Sequence, residues 1–129
     1  MAEVVESVDA ASALSIAACL FHGFSDQNRL AIVRHLSLGE HRVVELTQHL
    51  GLAQSTVSTH LACLKDCGLV SSRPQGRASM WSLNHADIVM DLLAVAERLL
   101  AATGDAVTLC ANYGIATLPA DPDAKQDDR

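Results

Sequence analysis

Apolar residues recur along this chain at helical spacing in five stretches and alternate loosely in two more. The first stretch, Val8-Asp-Ala-Ala-Ser-Ala-Leu-Ser-Ile-Ala-Ala-Cys-Leu-Phe-His22, is rich in alanine and apolar almost all round. A helix of that kind needs burial on more than one side, as at a dimer interface. After Gly23, the capping residues Ser25-Asp-Gln-Asn open a second helix, with Leu30, Ile32, Val33 and Leu36 at helical spacing and Gly39 as its end. A short third helix over 43–50 is followed by Gly51-Leu-Ala, a turn tight enough to require glycine's tolerance of positive φ. The fourth helix, over 54–67, places Val57, Leu61 and Leu64 at i, i+4 and i+7, and Gly68 terminates it.

A short helix, a glycine turn and a second helix with a polar face make the outline of a helix-turn-helix. Beyond it, Leu69-Val-Ser-Ser-Arg-Pro and Ala78-Ser-Met-Trp-Ser-Leu83 flank Gln75-Gly76-Arg77, which predicts a β-hairpin with a basic tip, a wing. A long last helix over 86–102 carries Ile88, Leu92, Val95, Leu99 and Leu100 towards a partner surface. The expected fold is mainly α (α+β): a winged helix-turn-helix with five helices and a β-hairpin wing, paired as a homodimer. One DNA-binding and dimerisation domain is expected over 1–117, and the acidic, proline-containing tail 118–129 is expected to be disordered.

Composition changes this picture in two ways. The 129 residues suit one domain with a core that needs no disulfide or metal staple. The net charge of −6 argues against nucleic acid until its distribution is read. Residues 1–26 hold four acids and no Lys or Arg, residues 27–86 hold six Lys/Arg against three acids, and residues 87–129 hold eight acids against three bases. The helix-turn-helix and wing are therefore the basic block, and phosphate contact has a place to occur. No apolar run approaches the roughly 20 residues that span a bilayer, and no leader pattern opens the chain, so a cytoplasmic location is expected. In a reducing compartment the four cysteines are expected as thiols or metal ligands. With four Phe, Trp and Tyr residues in total, stacking on single-stranded bases is a poor account of function.

Cys63 and Cys67 stand four apart on the fourth helix, on one face and one turn from each other, so both sulfurs can converge on a single ion. Cys110, beyond the last helix, is the candidate third thiolate. Cys19 lies in the apolar first helix and is expected to pack in the core. Projected at about 100° per residue, Ser55, Ser58 and Thr59 lie opposite the apolar stripe, while Thr56, His60, Cys63 and Cys67 share an intermediate one. Gln54, Ser55, Thr56, Ser58, Thr59 and His60 on the helix, with Arg73 and Arg77 on the wing, are the candidate DNA contacts. His60 suits structure or DNA better than metal. His22, His35, His41, His49 and His85 show no ligand spacing and are expected to be solvated or capping. No nucleophile with its base, phosphate loop or cofactor motif is present, so an enzyme is not expected.

These residues resemble the winged helix-turn-helix repressors of the ArsR/SmtB family over roughly 14–103. The motif that carries the resemblance is Leu52-x-x-Ser55-x-x-Ser58-x-His60-Leu61-x-x-Leu64-x-x-Cys67-Gly68-Leu69-Val70, followed by Arg73, Gly76-Arg77 and Trp81-Ser-Leu83. Leu61-x-Cys63-Leu-x-x-Cys67-Gly68 with a lone downstream cysteine is similar to the cadmium- and lead-sensing CmtR-type branch. The thiol box that other members carry at the start of the third helix is replaced by His41-Arg-Val-Val-Glu-Leu46. The zinc site of the last helix has no counterpart, because no histidine follows His85. The resemblance implies a homodimeric repressor that holds double-stranded operator DNA and releases it when Cd²⁺ or Pb²⁺ binds the thiolates. As(III) or Zn²⁺ as inducer, and release by thiol oxidation in the same fold, remain alternatives; soft thiolates exclude Mg²⁺ and Ca²⁺.

Overall fold

The computed structural model describes residues 9–109, in the order α1 (Ala10–Gly23), α2 (Gln27–Leu36), β1 (His41–Arg42), α3 (Val43–Leu50), α4 (Gln54–Asp66), β2 (Val70–Gln75), β3 (Ala78–Leu83) and α5 (Ala86–Ala102). Cys110 and the tail 118–129 lie outside the described residues. The five helices and the hairpin stand where the hydrophobic pattern expects them.

Local chemistry sets most boundaries. The Asp9 carboxylate accepts from the Ser12 N–H at 2.8 Å and starts α1, and Asp26 accepts from the Asn28 and Arg29 N–H groups at 2.8 and 3.1 Å to start α2. Glu45 reaches back to the Arg42 N–H at 2.8 Å and fixes the start of α3. Gly51 ends that helix at φ 67°, and Gly68, at φ 79°, turns the chain out of α4. His85 is the described non-glycine residue at positive φ, 52°, and stands at the N-cap of α5 without a side-chain cap bond.

The sheet order is β1-β3-β2, antiparallel throughout, with Val70 opposite Leu83 and Gln75 opposite Ala78. That register leaves Gly76-Arg77 as a two-residue turn with glycine first, the arrangement a II′ hairpin favours. The pairing of β1, His41 with Trp81 and Arg42 with Met80, is absent from the sequence expectations. A two-residue strand carries no period to detect.

The core runs from Ile32, Val33 and Leu36 on α2 through Leu46 on α3 and Val57, Leu61 and Leu64 on α4 to Leu69, Val70, Val89 and Leu93. Leu46, Val57, Leu61 and Leu64 have no exposure, so α3 and α4 are locked as one unit. Truncating such a leucine to alanine costs about 2–5 kcal/mol. In contrast Leu14, Ile16 and Phe21 on α1 and Ile88, Val95 and Leu99 on α5 stand more than half exposed. So many exposed apolar side chains on two helices suit an association face.

Candidate functional site

With Val57, Leu61 and Leu64 turned inward, α4 presents Gln54, Ser55, Ser58 and Thr59 to solvent, while Thr56 is half-buried. The Thr59 hydroxyl donates to the Ser55 carbonyl at 2.9 Å. Arg77 projects from the exposed hairpin tip. The helix thus offers a polar face, and the wing tip an exposed cation.

Two of the candidate contacts are otherwise engaged. Arg73 forks onto Glu40, Nε to Oε2 at 3.1 Å and Nη2 to Oε1 at 2.7 Å. The hydrogen bond to Arg73 holds the Glu40 carboxyl below its ordinary value, and the same partner raises Arg73. His60 turns inward: its Nδ1 accepts from Arg29 Nη1 at 3.3 Å, which leaves the ring proton on Nε2, 3.6 Å from the Asp26 carboxylate. His60 therefore ties α4 to the start of α2. Arg29, which the sequence did not single out, also donates to the carbonyls of His22 and Gly23 at 2.9 and 3.1 Å and so closes the end of α1.

Two sites depart further from expectation. Cys19 is not in the core: it is exposed, and its sulfur lies 3.5 Å from that of Cys67. The Cys67 thiol donates to the Cys19 carbonyl at 3.1 Å. Forty-eight residues separate the two, so no local spacing announces the pair. The approach depends on Gly23, where a Cβ would stand 2.9 Å from Leu69 Cδ1 and 3.4 Å from Cys67 Sγ. Burial pushes the Cys67 thiol from 9.0 up to about 11, and the contacts with Cys19 and Cys63 add to it. His35, His41 and His49, expected to be solvated or capping, have their ring centroids within 5.1 to 5.8 Å of one another.

Cys63 and Cys67 sit half-buried one turn apart at the end of α4, beside the polar surface, with Cys19 against Cys67. Among the described residues no three His, Cys, Asp or Glu side chains stand at coordination spacing as they are oriented. The donor chemistry is nonetheless that of a soft-ion site, since thiolates select large polarisable ions. Leu109, the last described residue, lines a cavity with Phe21, Phe24 and Leu92 and donates its N–H to the Glu97 carboxylate.

A family model described as bacterial regulatory protein, arsR family, matches residues 26–72, from the N-cap of α2 into β2. The probable mercury resistance operon repressor of Streptomyces lividans is 34% identical over 90 residues, covering 70% of this chain and 71% of that one. The regulator CmtR of Mycobacterium tuberculosis is 34% identical over 91 residues, covering 70% and 77%. The crystal structure of NolR from Sinorhizobium fredii superposes with a TM-score of 0.64 at 28% identity, over 77% of this chain and 96% of that one. With the helix-turn-helix, the wing and these similarities in agreement, the chain belongs to the ArsR family of bacterial DNA-binding transcriptional regulators.

Proposed function

We propose that this chain is a homodimeric repressor that pairs through α1 and α5 and binds operator DNA with α4 and the wing. It releases that DNA when a thiophilic ion, Cd²⁺ or Pb²⁺, binds Cys63 and Cys67 with a third thiolate. As(III) fits the same donors, and Zn²⁺ fits them less selectively. The resemblance offers Cys110 as the third ligand, and the 3.5 Å contact with the Cys67 sulfur offers Cys19 as the alternative. The observation that carries the reading is the contact of the Cys67 and Cys19 sulfurs at 3.5 Å where α4 ends against α1. Relatives named as a mercury resistance repressor and as CmtR support it.

The coupling follows from which helices the donors occupy. Cys19 belongs to the helix that carries the exposed apolar face, whereas Cys63 and Cys67 belong to the helix that presents Ser55, Ser58 and Thr59. Drawing these thiols together re-angles α4 against the dimer axis and disturbs the spacing at which two recognition helices meet successive major grooves. Only a difference in ion affinity between DNA-competent and DNA-incompetent forms does this, and a coupling of about 1–3 kcal/mol, 5- to 150-fold in DNA affinity, is expected.

The test is a Cd²⁺ titration of the fully reduced dimer, reading the thiolate charge-transfer band and the anisotropy of labelled operator together. Because Cys67 stays protonated well past neutrality, its proton must leave as an ion binds. Apparent Cd²⁺ affinity is therefore expected to rise with pH between 6 and 8 by about tenfold or more per unit. A flat profile sinks ion binding by these thiols. In the absence of metal the sign is opposite for the fold: the protonated thiol's contribution to stability is complete below about pH 9 and fades as pH approaches 11.

For the DNA surface, Arg77→Ala is expected to weaken binding to specific and random duplexes alike and to flatten the salt slope by about one. An unchanged slope removes the wing tip from the interface. A second reading, release by oxidation, is favoured by the same sulfur contact: Cys19 and Cys67 would lose two protons and two electrons to an oxidant such as hydrogen peroxide and form a disulfide. Cd²⁺-driven release under strict reduction separates metal sensing from it.

A further inference from the structure

Cys67 stands in the wall of an apolar cleft of about 260 Å³, bounded by α1, the end of α4 and the start of α5. Leu20 and Phe24 line it from α1 and its C-cap, Leu69 from the end of α4, and Val89 and Leu92 from α5. Asn84, a polar residue of the wall, is engaged with its own chain: its amide donates to the Gly68 carbonyl at 3.1 Å and its oxygen accepts from the Ser71 hydroxyl at 2.9 Å. The cleft therefore offers mainly hydrocarbon, with a thiol in its wall and the Cys19 sulfur 3.5 Å from that thiol. We propose that Cys19, Cys67 and this cleft form a binding site for aryl-substituted trivalent arsenic, with the arsenic bonded to both sulfurs and the ring lodged between α1 and α5. The inference rests on the reading of these thiols as the sensor and names a class of inducer for it.

The sulfur spacing suits such a compound. Two sulfurs bonded to one pyramidal arsenic, with bonds close to the roughly 2.3 Å of a zinc–thiolate bond and an angle of about 95°, stand roughly 3.4 Å apart. The Cys19 and Cys67 sulfurs are already at 3.5 Å. Among the described residues no three His, Cys, Asp or Glu side chains stand at coordination spacing. An arsenic that carries a carbon substituent takes only two protein sulfurs, because carbon occupies the third position. The reaction is a condensation: R–As(OH)₂ and two thiols form two arsenic–sulfur bonds and release two waters, each thiol proton leaving with an arsenic hydroxyl. Arsenic remains trivalent, and no electron is transferred.

The organic group gives the cleft its role. An apolar cavity of about 150 Å³ lined by Leu, Ile and Phe takes up benzene, so this one has room for a phenyl ring beside the thiol. Leu69 and Val89 are buried at 6% and 5% exposure, which makes that part of the wall firm. Burial against such side chains favours an aryl group over a methyl group, whereas the sulfurs treat the two alike. A ring held there touches α1 and α5, the helices that carry the exposed apolar side chains, and so bears on the geometry by which two chains pair.

The experiment uses the whole reduced chain, titrated with phenylarsonous and methylarsonous acids in competition with a free dithiol. The chain is expected to favour the phenyl compound by about tenfold or more beyond the dithiol's own preference. Nuclear Overhauser contacts are expected between the ring protons and the methyl groups of Leu69 and Val89. Cys19→Ser should lose tight binding of both compounds. Leu20→Phe, which adds bulk to the wall and keeps both thiols, should lose the phenyl preference and retain methyl binding. Equal preference on chain and dithiol, a bound ring without contact to Leu69 or Val89, or unaltered binding in Cys19→Ser overturns the proposal. The contacts are read on the natural chain, so they answer even if Leu20→Phe folds poorly. A ring bound in the cleft while operator DNA stays held upholds the site and counts against sensing through these thiols. Loss of the phenyl preference with Cd²⁺-driven release intact removes the site and leaves the sensor.

Discussion

Cys67→Ser should lose tight Cd²⁺ binding and metal-driven release of DNA while its metal-free DNA affinity stays nearly that of the natural chain. A small structural metal site is worth about 10–16 kcal/mol in apparent terms, so one thiolate of three accounts for roughly 3–5 kcal/mol, a loss of about 10²- to 10⁴-fold in ion affinity. The serine hydroxyl keeps the donor that Cys67 now directs at the Cys19 carbonyl, so the end of α4 stays where it is. The measurement is the charge-transfer titration beside operator anisotropy. Full response in Cys67→Ser would remove the thiol pair from sensing. Cys19→Ser and Cys110→Ser then divide the third position: the variant that weakens binding and loses most of the release identifies the ligand. If it is Cys110, mixed dimers decide its subunit. One protomer carries Cys63→Ser with Cys67→Ser and the other Cys110→Ser, and a three-thiolate band survives only if the bond crosses between subunits.

Leu99→Glu is expected to split the dimer and to take operator binding with it. Leu99 is 64% exposed on a single chain, beside Ile88 and Val95 on the same helix. Because a two-fold interface meets each substitution twice, losing about 2 kcal/mol of apolar burial per leucine weakens association by about 4 kcal/mol, near 10³-fold, before the cost of confining two carboxylates is added. Leu92 is a poorer choice, since it is half-buried within one chain, where it lines a cavity with Phe24 and Leu93, and its loss would disturb the fold. Sedimentation and operator titration at one protein concentration check the expectation. A monomeric Leu99→Glu chain with full affinity for a palindromic operator refutes pairing through α5.

How much of this was legible in the residues depends on how local each feature is. The stripe Val57, Leu61, Leu64 and the turn glycines carry their own periodicity, so α4, the hairpin and the outward face of Ser55, Ser58 and Thr59 were readable. Cys63 and Cys67 were readable too, because a spacing of four is itself a geometric statement in a helix. Cys19 was not: its contact with Cys67 exists only once α1 folds back over the end of α4, and an alanine-rich helix gives no sign of which face does so. The three histidines failed for the same reason, since separations of six and eight residues become proximity only through the loop and strand between α2 and α3. Arg73 read as a free cation because Glu40, its partner, lies 33 residues earlier.

Gly23 gives the thiol pair an adjustable separation that involves no ligand atom. Its bare α-carbon is what admits Leu69 and Cys67 against α1, with 2.9 and 3.4 Å to where a methyl group would sit. On the proposed reading, steric bulk at position 23 changes how closely α1 approaches the end of α4, and with it ion affinity, while every cysteine is retained.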